Sequence, residues 1–555
     1  MNWKAVTISL LLLLFLTRVY IQPTFSLISD CDETFNYWEP LNLLVRGFGK
    51  QTWEYSPEYS IRSWAFLLPF YCILYPVNKF TDLESHWNFF ITRACLGFFS
   101  FIMEFKLHRE IAGSLALQIA NIWIIFQLFN PGWFHASVEL LPSAVAMLLY
   151  VGATRHSLRY LSTGSTSNFT KSLAYNFLAS ILGWPFVLIL SLPLCLHYLF
   201  NHRIISTIRT AFDCCLIFSL TAFAVIVTDS IFYGKLAPVS WNILFYNVIN
   251  ASEESGPNIF GVEPWYYYPL NLLLNFPLPV LVLATLGIFH LRLWPLWASL
   301  FTWIAVFTQQ PHKEERFLYP IYGLITLSAS IAFYKVLNLF NRKPILKKGI
   351  KLSVLLIVAG QAMSRIVALV NNYTAPIAVY EQFSSLNQGG VKAPVVNVCT
   401  GREWYHFPSS FLLPDNHRLK FVKSGFDGLL PGDFPESGSI FKKIRTLPKG
   451  MNNKNIYDTG KEWPITRCDY FIDIVAPINL TKDVFNPLHL MDNWNKLACA
   501  AFIDGENSKI LGRAFYVPEP INRIMQIVLP KQWNQVYGVR YIDYCLFEKP
   551  TETTN

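Results

Sequence analysis

Charged side chains are scarce in this sequence. Asp, Glu, Lys and Arg make up 15% of its 555 residues, whereas 53% of the residues are hydrophobic. Soluble proteins carry about 25% charged residues. A chain of this length has room for one or more soluble cores, so small size does not explain the deficit. The composition therefore excludes an ordinary soluble protein and predicts that much of the surface faces lipid.

The sequence also lacks the signatures of nucleotide and nucleic-acid binding. It contains no Gly-rich phosphate loop and no alternation of strand and helix patterns. The formal net charge is +9, but the Lys and Arg residues punctuate apolar stretches and do not cluster on one polar domain. Such punctuation is typical of the cytosolic loops of membrane proteins. Internal repeats are absent as well, which counts against a transporter built from repeated halves.

Long apolar stretches predict an all-α polytopic membrane bundle with about 11 or 12 transmembrane helices. The first stretch, at about residues 5–20, is predicted to be an uncleaved anchor, because no small-x-small cleavage site follows it. Arg18 lies near its end, where a long basic side chain can reach the interface. The further stretches lie near residues 62–79, 87–105, 113–130, 136–154, 172–200, 208–232, 270–291, 293–309, 317–340 and 350–370.

Two basic loops, at residues 202–209 and 342–351, determine the predicted orientation. Cytosolic loops carry an excess of Lys and Arg, so we place both of these loops in the cytosol. Three other regions then lie on the opposite, lumenal side of the membrane. They are the loop 21–61, the loop 233–269 and the chain after residue 372.

Sequons support this orientation. Those at Asn250, Asn372 and Asn479 all fall on the predicted lumenal side, and we predict them as glycosylation sites. The segment 155–171 carries a further sequon at Asn168, but its flanking basic residues favour the cytosol. The orientation of this segment stays open.

Beyond about residue 372 the composition of the sequence changes. Charges, Pro, Gly and Asn become common and long apolar runs end, which predicts a transmembrane module over 1–372 and a soluble lumenal α/β domain over 373–555. Strand-like runs occur at Tyr470–Val475 and Arg513–Val517. The cysteines of this domain can form two disulfides in any of three pairings, or stay reduced and buried. They are Cys399, Cys468, Cys499 and Cys545.

An acidic segment follows the first apolar stretch, with Asp30, Asp32 and Glu33 in four residues. A carboxylate here suits a general base that takes a proton from a hydroxyl nucleophile. The structural alternative is a helix start with an acidic N-cap, which needs only one or two of the acids. Asp30-Cys31-Asp32 also matches a short D-x-D pattern that can hold a divalent cation, although the match is weak.

A second polar segment, residues 310–317, lies at the mouth of a predicted span on the same side of the membrane. It contains His312, Lys313 and Arg316, which can bind a phosphate through a planar guanidinium fork and point charges. Glu314 and Glu315 can hold those cations in position. The alternative is a solvated charged turn that caps the next helix.

Aromatic side chains accompany both segments. Their faces suit the C–H groups of sugar rings, and we predict sugar or acceptor binding by them. Interfacial anchoring without chemistry is the competing interpretation. These residues are Trp38, Trp53, Tyr55, Trp265 and Tyr266.

The stretches Cys31–Pro40, Gln51–Pro57 and His312–Phe317 closely resemble one family. It is the family of dolichyl-phosphate-mannose-dependent mannosyltransferases of the endoplasmic reticulum, which have the GT-C fold and belong to glycosyltransferase family 22. In particular they resemble the α-1,2-mannosyltransferase of asparagine-linked glycosylation that acts twice, adding the seventh and ninth mannoses. The likeness extends over nearly the whole chain, through Gly183–Phe186 and Asn397–Pro414.

The resemblance implies an inverting transfer of mannose from dolichyl phosphate mannose to a lipid-linked oligosaccharide. It implies Asp32 as the general base, with Glu33 as the second candidate. By charge, His312, Lys313 and Arg316 stabilise the departing phosphate. A lipid monophosphate needs less neutralisation than a nucleotide diphosphate, so we expect no cofactor and no metal. The partners implied are the two lipid-linked substrates and the lipids of the endoplasmic reticulum membrane.

Other functions are compatible with parts of the sequence. Another lipid-linked mannosyltransferase of the same family, with α-1,6 specificity or a role in GPI-anchor assembly, shares the motifs. A membrane transporter is disfavoured by the large soluble tail and the absence of repeats. A non-catalytic subunit of a transferase complex is disfavoured only by the intact acidic segment.

Overall fold

A computed structural model describes residues 3–251, 256–386, 395–479, 481–489 and 494–550. The chain divides into two compact units. The first comprises Met1–Thr24, Ser60–Phe66 and Arg93–Met363, and the second comprises Phe25–Tyr59, Leu67–Thr92 and Ser364–Asn555. Residues 25–59 and 67–92 thus group with the C-terminal residues, and the domain boundary after residue 372 stays a prediction.

Within the described residues, five helices are long and apolar enough to cross a membrane, or six if one bent pair counts as a single span. The pair, Tyr267–Asn275 and Leu278–Gly287, bends by 111°. This number is lower than the 11 or 12 that the apolar stretches predict. The five helices are Lys4–Phe25, Ile204–Tyr233, Leu291–Gln309, Glu315–Leu339 and Pro344–Tyr373.

The other predicted spans form helices that are shorter or more polar. The stretch 113–130 yields a helix of 12 residues, Leu117–Leu128, which is about 18 Å long and so shorter than the hydrocarbon core of about 30 Å. The stretch 172–200 is interrupted at Gly183, which has a φ of +127°. The remaining α-helices are Cys31–Glu33, Glu39–Arg46, Trp64–Phe80, His86–Ser114, Pro131–Ala136, Pro142–Thr163, Thr166–Ile181, Leu192–Asn201, Val239–Leu244, Ala375–Leu386, Ile440–Arg445, Ile510–Ala514, Glu519–Val528 and Pro530–Val536.

A buried ion pair holds the first helix in the first unit. Arg18 is fully buried and donates from Nε and Nη2 to the two carboxylate oxygens of Glu104, at 2.7 and 2.9 Å. Gly97 allows the close approach, because a Cβ there would lie 1.8 Å from the carbonyl oxygen of Arg18. Arg18 therefore points into the protein and not to the membrane interface as the sequence predicts. Desolvated charges of this kind persist only when they are paired.

The second unit contains the β-structure. Its strands are β1 (Lys50–Gln51), β2 (Val396–Thr400), β3 (His417–Phe421), β4 (Gly432–Asp433), β5 (Tyr470–Ile474), β6 (Asn495–Ile503) and β7 (Tyr541–Glu548). A mixed sheet has the order β3-β2-β5-β7-β6, with β2 parallel to β3 and β5 and with β7 antiparallel to β5 and β6. The short strands β1 and β4 pair antiparallel. The predicted α/β character of the C-terminal region is confirmed.

Cysteines join neighbouring parts of this sheet. Cys399 pairs with Cys468, and Cys499 of β6 pairs with Cys545 of β7. The strand predicted at Tyr470–Val475 is present as β5. The strand predicted at Arg513–Val517 is wrong: the segment leaves the helix Ile510–Ala514 and its backbone binds Ser364, since the amide of Tyr516 donates to the Ser364 carbonyl at 3.0 Å.

Candidate active site

The acidic segment opens the short helix Cys31–Glu33. Asp30 is its N-cap in extended conformation, and a carboxylate oxygen of Asp30 accepts from the amide of Asp32 at 2.8 Å. The amide of Glu33 donates to the Asp30 carbonyl at 3.0 Å. The helix-cap interpretation thus holds for Asp30. Asp32 is half-buried in the first turn, where the helix N-terminus favours a negative charge.

Glu33 is fully buried beside the indole of Trp38. The indole N–H of Trp38 donates to Glu33 Oε1 at 2.9 Å. The ring of Trp38 packs against Phe89, with 4.6 Å between centroids, and meets Phe411 edge-on at 6.3 Å. Trp38 therefore orients Glu33 from inside the core and presents no free face to a sugar.

The other predicted aromatic residues differ in exposure. Tyr55 is fully buried and Trp53 is 7% exposed, with the Trp53 ring edge-on to Tyr59 at 5.0 Å. These two rings are packing residues in the structure. Trp265 and Tyr266 are 69% and 49% exposed and can offer aromatic faces to a ligand. Sugar contact by this second pair stays a prediction.

Glu39 anchors the acidic segment within the second unit. Its fully buried carboxylate accepts from the amide of Ser410 at 2.7 Å, from Ser410 Oγ at 2.8 Å and from the amide of Lys50 at 2.9 Å. Gly49 makes the fit possible, because a Cβ there would lie 2.6 Å from the Glu39 carbonyl. Burial raises the pKa of Glu39, and these hydrogen bonds partly oppose the rise.

Further contacts tie the same loop to the C-terminal segments. Arg46 donates to Asp415 at 2.8 Å and to the carbonyls of Ser410 and Leu413 at 2.7 and 2.9 Å. Lys50 pairs with Asp433 at 2.8 Å. No sequence motif points to Glu39, Arg46 and Ser410 as a group, although the glycines of the Gly47-Phe48-Gly49 turn indicate a close backbone approach.

The D-x-D pattern brings donor atoms together. One ligand atom from each of Asp30, Cys31 and Asp32 lies within 4.8 Å of the others. The fit to a hard cation is poor, because Asp30 already accepts from the amide of Asp32 and the middle residue offers sulfur. A second group, Cys499, Asp543 and Cys545, contains cysteines that form a disulfide, so these sulfur atoms are not thiolate ligands.

In the first unit, His312 holds two hydrogen bonds that define its charge. Nδ1 lies 2.8 Å from the Gly261 carbonyl, and Nε2 lies 2.8 Å from Glu314 Oε1. Both partners only accept, so both ring nitrogens carry protons and the imidazole is a cation. Burial alone lowers the pKa of His312, but the bonds to Glu314 and Gly261 raise it overall.

Glu314 is the counter-ion of this cluster. It accepts from His312 and from Nε of Arg316. Although burial opposes ionisation, the charge of Arg316 and the hydrogen bond from His312 lower the pKa of Glu314 to about 2. The cluster is therefore an ion triad with two cations on one carboxylate. Arg316 is 9% exposed and Lys313 is 7% exposed, so both cations are held largely away from water.

Backbone contacts join this segment to the preceding loop. Lys313 Nζ donates to the carbonyls of Glu263 and Gln310, and the amide of Glu263 donates to the Pro311 carbonyl at 2.9 Å. The exposed rings of Trp265 and Tyr266 follow directly on this loop. The structure thus brings together the loop 256–266 and the cationic segment.

Glu315 belongs to a polar network that no sequence motif indicates. It accepts from His135 Nε2 at 2.8 Å and from Asn271 Nδ2 at 3.0 Å. Asn275 donates to Asn271 and to the Tyr322 hydroxyl, both at 3.1 Å. His135 and Asn271 lie on different helices, so only the fold reveals that they share a carboxylate.

The predicted glycosylation sites differ in accessibility. Asn250 and Asn479 are exposed, although Ser252 and Leu480 of their sequons lie outside the described residues. Asn372 is 2% exposed, and its Oδ1 accepts from the Tyr541 hydroxyl at 2.9 Å. Its Nδ2 faces the carbonyls of Gly512 and Arg513 at 3.4 Å. This packing disfavours a glycan on Asn372.

Comparison with known proteins agrees with the family resemblance. A profile of the Alg9-like mannosyltransferase family matches residues 10–414. The alpha-1,2-mannosyltransferase alg9 of Schizosaccharomyces pombe is 35% identical over 551 residues, which cover 92% of each chain. The chain belongs to the Alg9-like mannosyltransferase family. The predicted enzyme class, a membrane mannosyltransferase, is confirmed.

Further similarities agree with this family. The human alpha-1,2-mannosyltransferase ALG9 is 34% identical over 529 residues, covering 88% of this chain and 83% of that protein. The apo crystal structure of ArnT from Cupriavidus metallidurans matches with a TM-score of 0.52 at 11% identity, over 76% of this chain and 86% of that one. At 11% identity the similarity to ArnT concerns the fold alone, and it confirms the predicted GT-C architecture.

The His312–Glu314 contact predicts a pH-dependent contribution to stability. The pKa of His312 is raised above its ordinary value of 6.5, so the contact stabilises fully below that pH and weakens as pH rises through the raised pKa. Glu314→Gln should lower the free energy of unfolding by roughly 1 to 2 kcal/mol at mildly acidic pH, and by less at alkaline pH. Thermal melting of purified protein across this pH range measures the difference.

The matched control for this measurement is Glu84→Gln. Glu84 also contacts a histidine, His86, at 3.2 Å, but its side chain is 60% exposed. The control should leave melting unchanged at every pH. An unfolding difference for Glu314→Gln that does not vary with pH would show that His312 is not the titrating partner.

Proposed function

We propose that this protein transfers mannose from dolichyl phosphate mannose to a lipid-linked high-mannose oligosaccharide and forms α-1,2 linkages. The acceptors are Man6GlcNAc2-PP-dolichol and Man8GlcNAc2-PP-dolichol in the assembly of the N-glycan precursor. The observation that carries the proposal is the 35% identity to an alpha-1,2-mannosyltransferase over 92% of both chains. Another lipid-linked mannosyl acceptor is the alternative that the assay below distinguishes.

The proposed reaction is a single in-line displacement. The donor is β-linked and the product is α-linked, so one displacement inverts the anomeric carbon. Asp32 takes the proton from the acceptor 2-hydroxyl, the hydroxyl oxygen bonds to the anomeric carbon, and the bond to the phosphate breaks. The half-buried position of Asp32 supports this role, because Glu33 is fully buried and already accepts from Trp38.

His312, Lys313 and Arg316 are proposed to stabilise the leaving phosphate. Two of these cations share the carboxylate of Glu314, which keeps them charged and oriented before the substrate arrives. Arg offers a planar fork to phosphate oxygens and Lys offers a point charge. Since a lipid monophosphate carries little charge, three cations suffice and no metal takes part in the proposed step.

The proposed location is the membrane of the endoplasmic reticulum, with Asp32, the 310–316 segment and the C-terminal region on the lumenal side. The basic loops at 202–209 and 342–351 support this orientation through the excess of Lys and Arg in cytosolic loops. The disulfides Cys399–Cys468 and Cys499–Cys545 also support it, because disulfides persist in oxidising compartments.

Purified full-length protein supplied with synthetic dolichyl phosphate mannose tests the activity. We expect transfer to Man6GlcNAc2-PP-dolichol and to Man8GlcNAc2-PP-dolichol, and cleavage of the product by an α-1,2-mannosidase. EDTA should leave the rate unchanged. Transfer only to a GPI precursor would favour the alternative acceptor, and absence of any transfer would contradict the proposal. Strong inhibition by EDTA would favour a metal site at Asp30 and Asp32.

The variant Asp32→Asn tests the general base. It keeps the shape of the side chain and removes its basicity, so turnover should fall by about a hundredfold to ten-thousandfold. Acceptor binding should change little. Asp82→Asn is the control, because it makes the same chemical change at an exposed position of the same unit. Near-normal turnover of Asp32→Asn, with loss of turnover in Glu33→Gln, would move the role to Glu33.

A further inference from the structure

A basic cavity of about 360 Å³ lies in the first unit, apart from the residues of the proposed reaction. Its permanent cations are Lys106 and Arg109 on the helix His86–Ser114 and Arg155 and Arg159 on the helix Pro142–Thr163. The volume falls within the range of about 300–1,000 Å³ that small-molecule sites occupy.

The charge around this cavity is poorly balanced. Glu110 is the acidic residue among those that line it. Its Oε1 lies 3.7 Å from Arg159 and accepts from Ser114 at 2.5 Å. Lys106, Arg109 and Arg155 form no salt bridge with any residue of the described ranges. Four cations facing one carboxylate create a positive field that an anion would relieve.

The helix Pro142–Thr163 separates this cavity from the Glu315 network. Near the start of that helix, Glu139 accepts from Tyr319 at 3.2 Å and His135 contacts Glu315. Arg155 and Arg159 come 13 and 17 residues after Pro142, which corresponds to about 20–26 Å along the axis. The cavity therefore lies toward the opposite end of this helix from the cationic segment.

We propose that this cavity binds a ligand with clustered phosphate charges, and that its natural source is the headgroup of an anionic phospholipid. Two arginines one helical turn apart present guanidinium forks that match phosphate oxygens. The two helices contain the apolar stretch 87–105 and most of the stretch 136–154, which the sequence predicts as spans, and basic pockets between transmembrane helices are a recurring site for such headgroups. The inference goes beyond the proposed transfer reaction and does not depend on it.

Native mass spectrometry of the full-length protein in detergent tests this site. The protein is mixed with phosphatidylinositol 4-phosphate, with phosphatidylcholine, or with inorganic pyrophosphate as a soluble phosphate. We expect preferential retention of phosphatidylinositol 4-phosphate, and about tenfold weaker retention in the double variant Arg155→Gln/Arg159→Gln. Competition by pyrophosphate would identify soluble phosphates as a second source for the same site.

The control is the double variant Lys343→Gln/Lys348→Gln, which removes the same charge from exposed positions of the basic loop. It should retain the lipid as the unmodified protein does. Lys106→Gln provides a second cavity variant if the arginine variant is not monodisperse. Equal retention of both lipids, or an equal loss in the control, would overturn the proposal.

A different observation concerns the C-terminal part of the second unit. The helix Glu519–Val528 is amphipathic, with apolar residues at the spacing of one helix face. Ile521, Ile524, Ile527 and Val528 are 51%, 57%, 80% and 63% exposed. The opposite face is polar, and Arg523 pairs there with Glu519 at 2.9 Å. Such a contiguous exposed apolar face indicates an interaction surface.

The chain before this helix is bound to a membrane-spanning helix. Asn372 faces the carbonyls of Gly512 and Arg513, Arg365 Nη1 donates to the Ala514 carbonyl at 2.9 Å, and Ser364 Oγ donates to the Tyr516 carbonyl at 2.7 Å. The segment 512–516 thus runs antiparallel to the helix Pro344–Tyr373. Its contacts pass from Asn372 to Ser364, which is eight residues, or about 12 Å, toward the middle of that helix. The start of the amphipathic helix therefore lies beside this long apolar helix.

We infer that the helix Glu519–Val528 lies in the membrane interface with its isoleucine face among the lipid chains. Interfacial helices combine an apolar face with a strongly polar one. Trp533 and Tyr537, which stack at 4.8 Å beyond the helix, are the residue types that concentrate at this level of a bilayer. The C-terminal region then contacts the membrane and is not a purely soluble domain.

Spin labels distinguish lipid, water and protein around this helix. The label is placed at Ile527→Cys or at the neighbouring polar position Gln526→Cys, in full-length protein reconstituted into phosphatidylcholine vesicles. The free cysteines are replaced by Ser and both disulfides are kept. We expect the label at 527 to collide mainly with oxygen and the label at 526 to collide mainly with a water-soluble nickel complex.

Two results would overturn this second proposal. Equal access of the nickel complex to both labels would place the isoleucine face in water. Shielding of the label at 527 from both reagents would show that a protein surface covers it. If the variant without free cysteines is not monodisperse, Cys214 is kept, because it is buried, and the label is added under conditions that leave Cys214 unreacted.

Discussion

The buried carboxylate of Glu39 is the contact on which the acidic segment depends. Its oxygens accept from Lys50 and Ser410, so one side chain joins the helix after the acidic segment to the strand β1 and to a turn near residue 410. An isolated carboxylate at this depth is unfavourable, and its hydrogen bonds compensate for the lost hydration. The segment that carries Asp32 is therefore joined to the C-terminal part of its unit by a contact across about 370 residues of chain.

The two polar segments stabilise their charged side chains in different ways. The acidic segment uses a helix cap at Asp30 and a buried indole donor to Glu33. The cationic segment uses an internal counter-ion, Glu314, between His312 and Arg316. Both arrangements preorganise side chains before a substrate binds, and preorganised charge is an effective source of transition-state stabilisation.

Two surfaces of the protein, one with excess positive charge and one with exposed apolar side chains, are proposed to contact the bilayer. The cations around the cavity at Lys106 and Arg155 lack enough carboxylates, and the helix Glu519–Val528 lacks a covering partner for its isoleucines among the described residues. One imbalance is electrostatic and the other is hydrophobic. A membrane supplies the complement of both, because some of its lipids have anionic headgroups and its interior is apolar.

Much of the overall organisation could be predicted from local patterns. Hydropathy alone indicates a membrane protein, and the change of texture after residue 372 indicates a domain with strands, of which Tyr470–Ile474 is an example. Apolar composition does not show where a helix ends, and the apolar stretch 172–200 is interrupted at Gly183. Arg513–Val517 was misassigned as a strand because its backbone partner, Ser364, is distant in sequence.

The sequence by itself determined the membrane class, the family and the identity of the acidic and cationic segments, because each is encoded by composition or by consecutive residues. Only the tertiary structure decided which of those residues are available for chemistry. It buried Trp38, Tyr55 and Asn372, made Asp30 a helix cap, and placed Glu39 and Ser410 together. Burial and hydrogen bonding depend on residues far apart in the chain, and no local pattern records them.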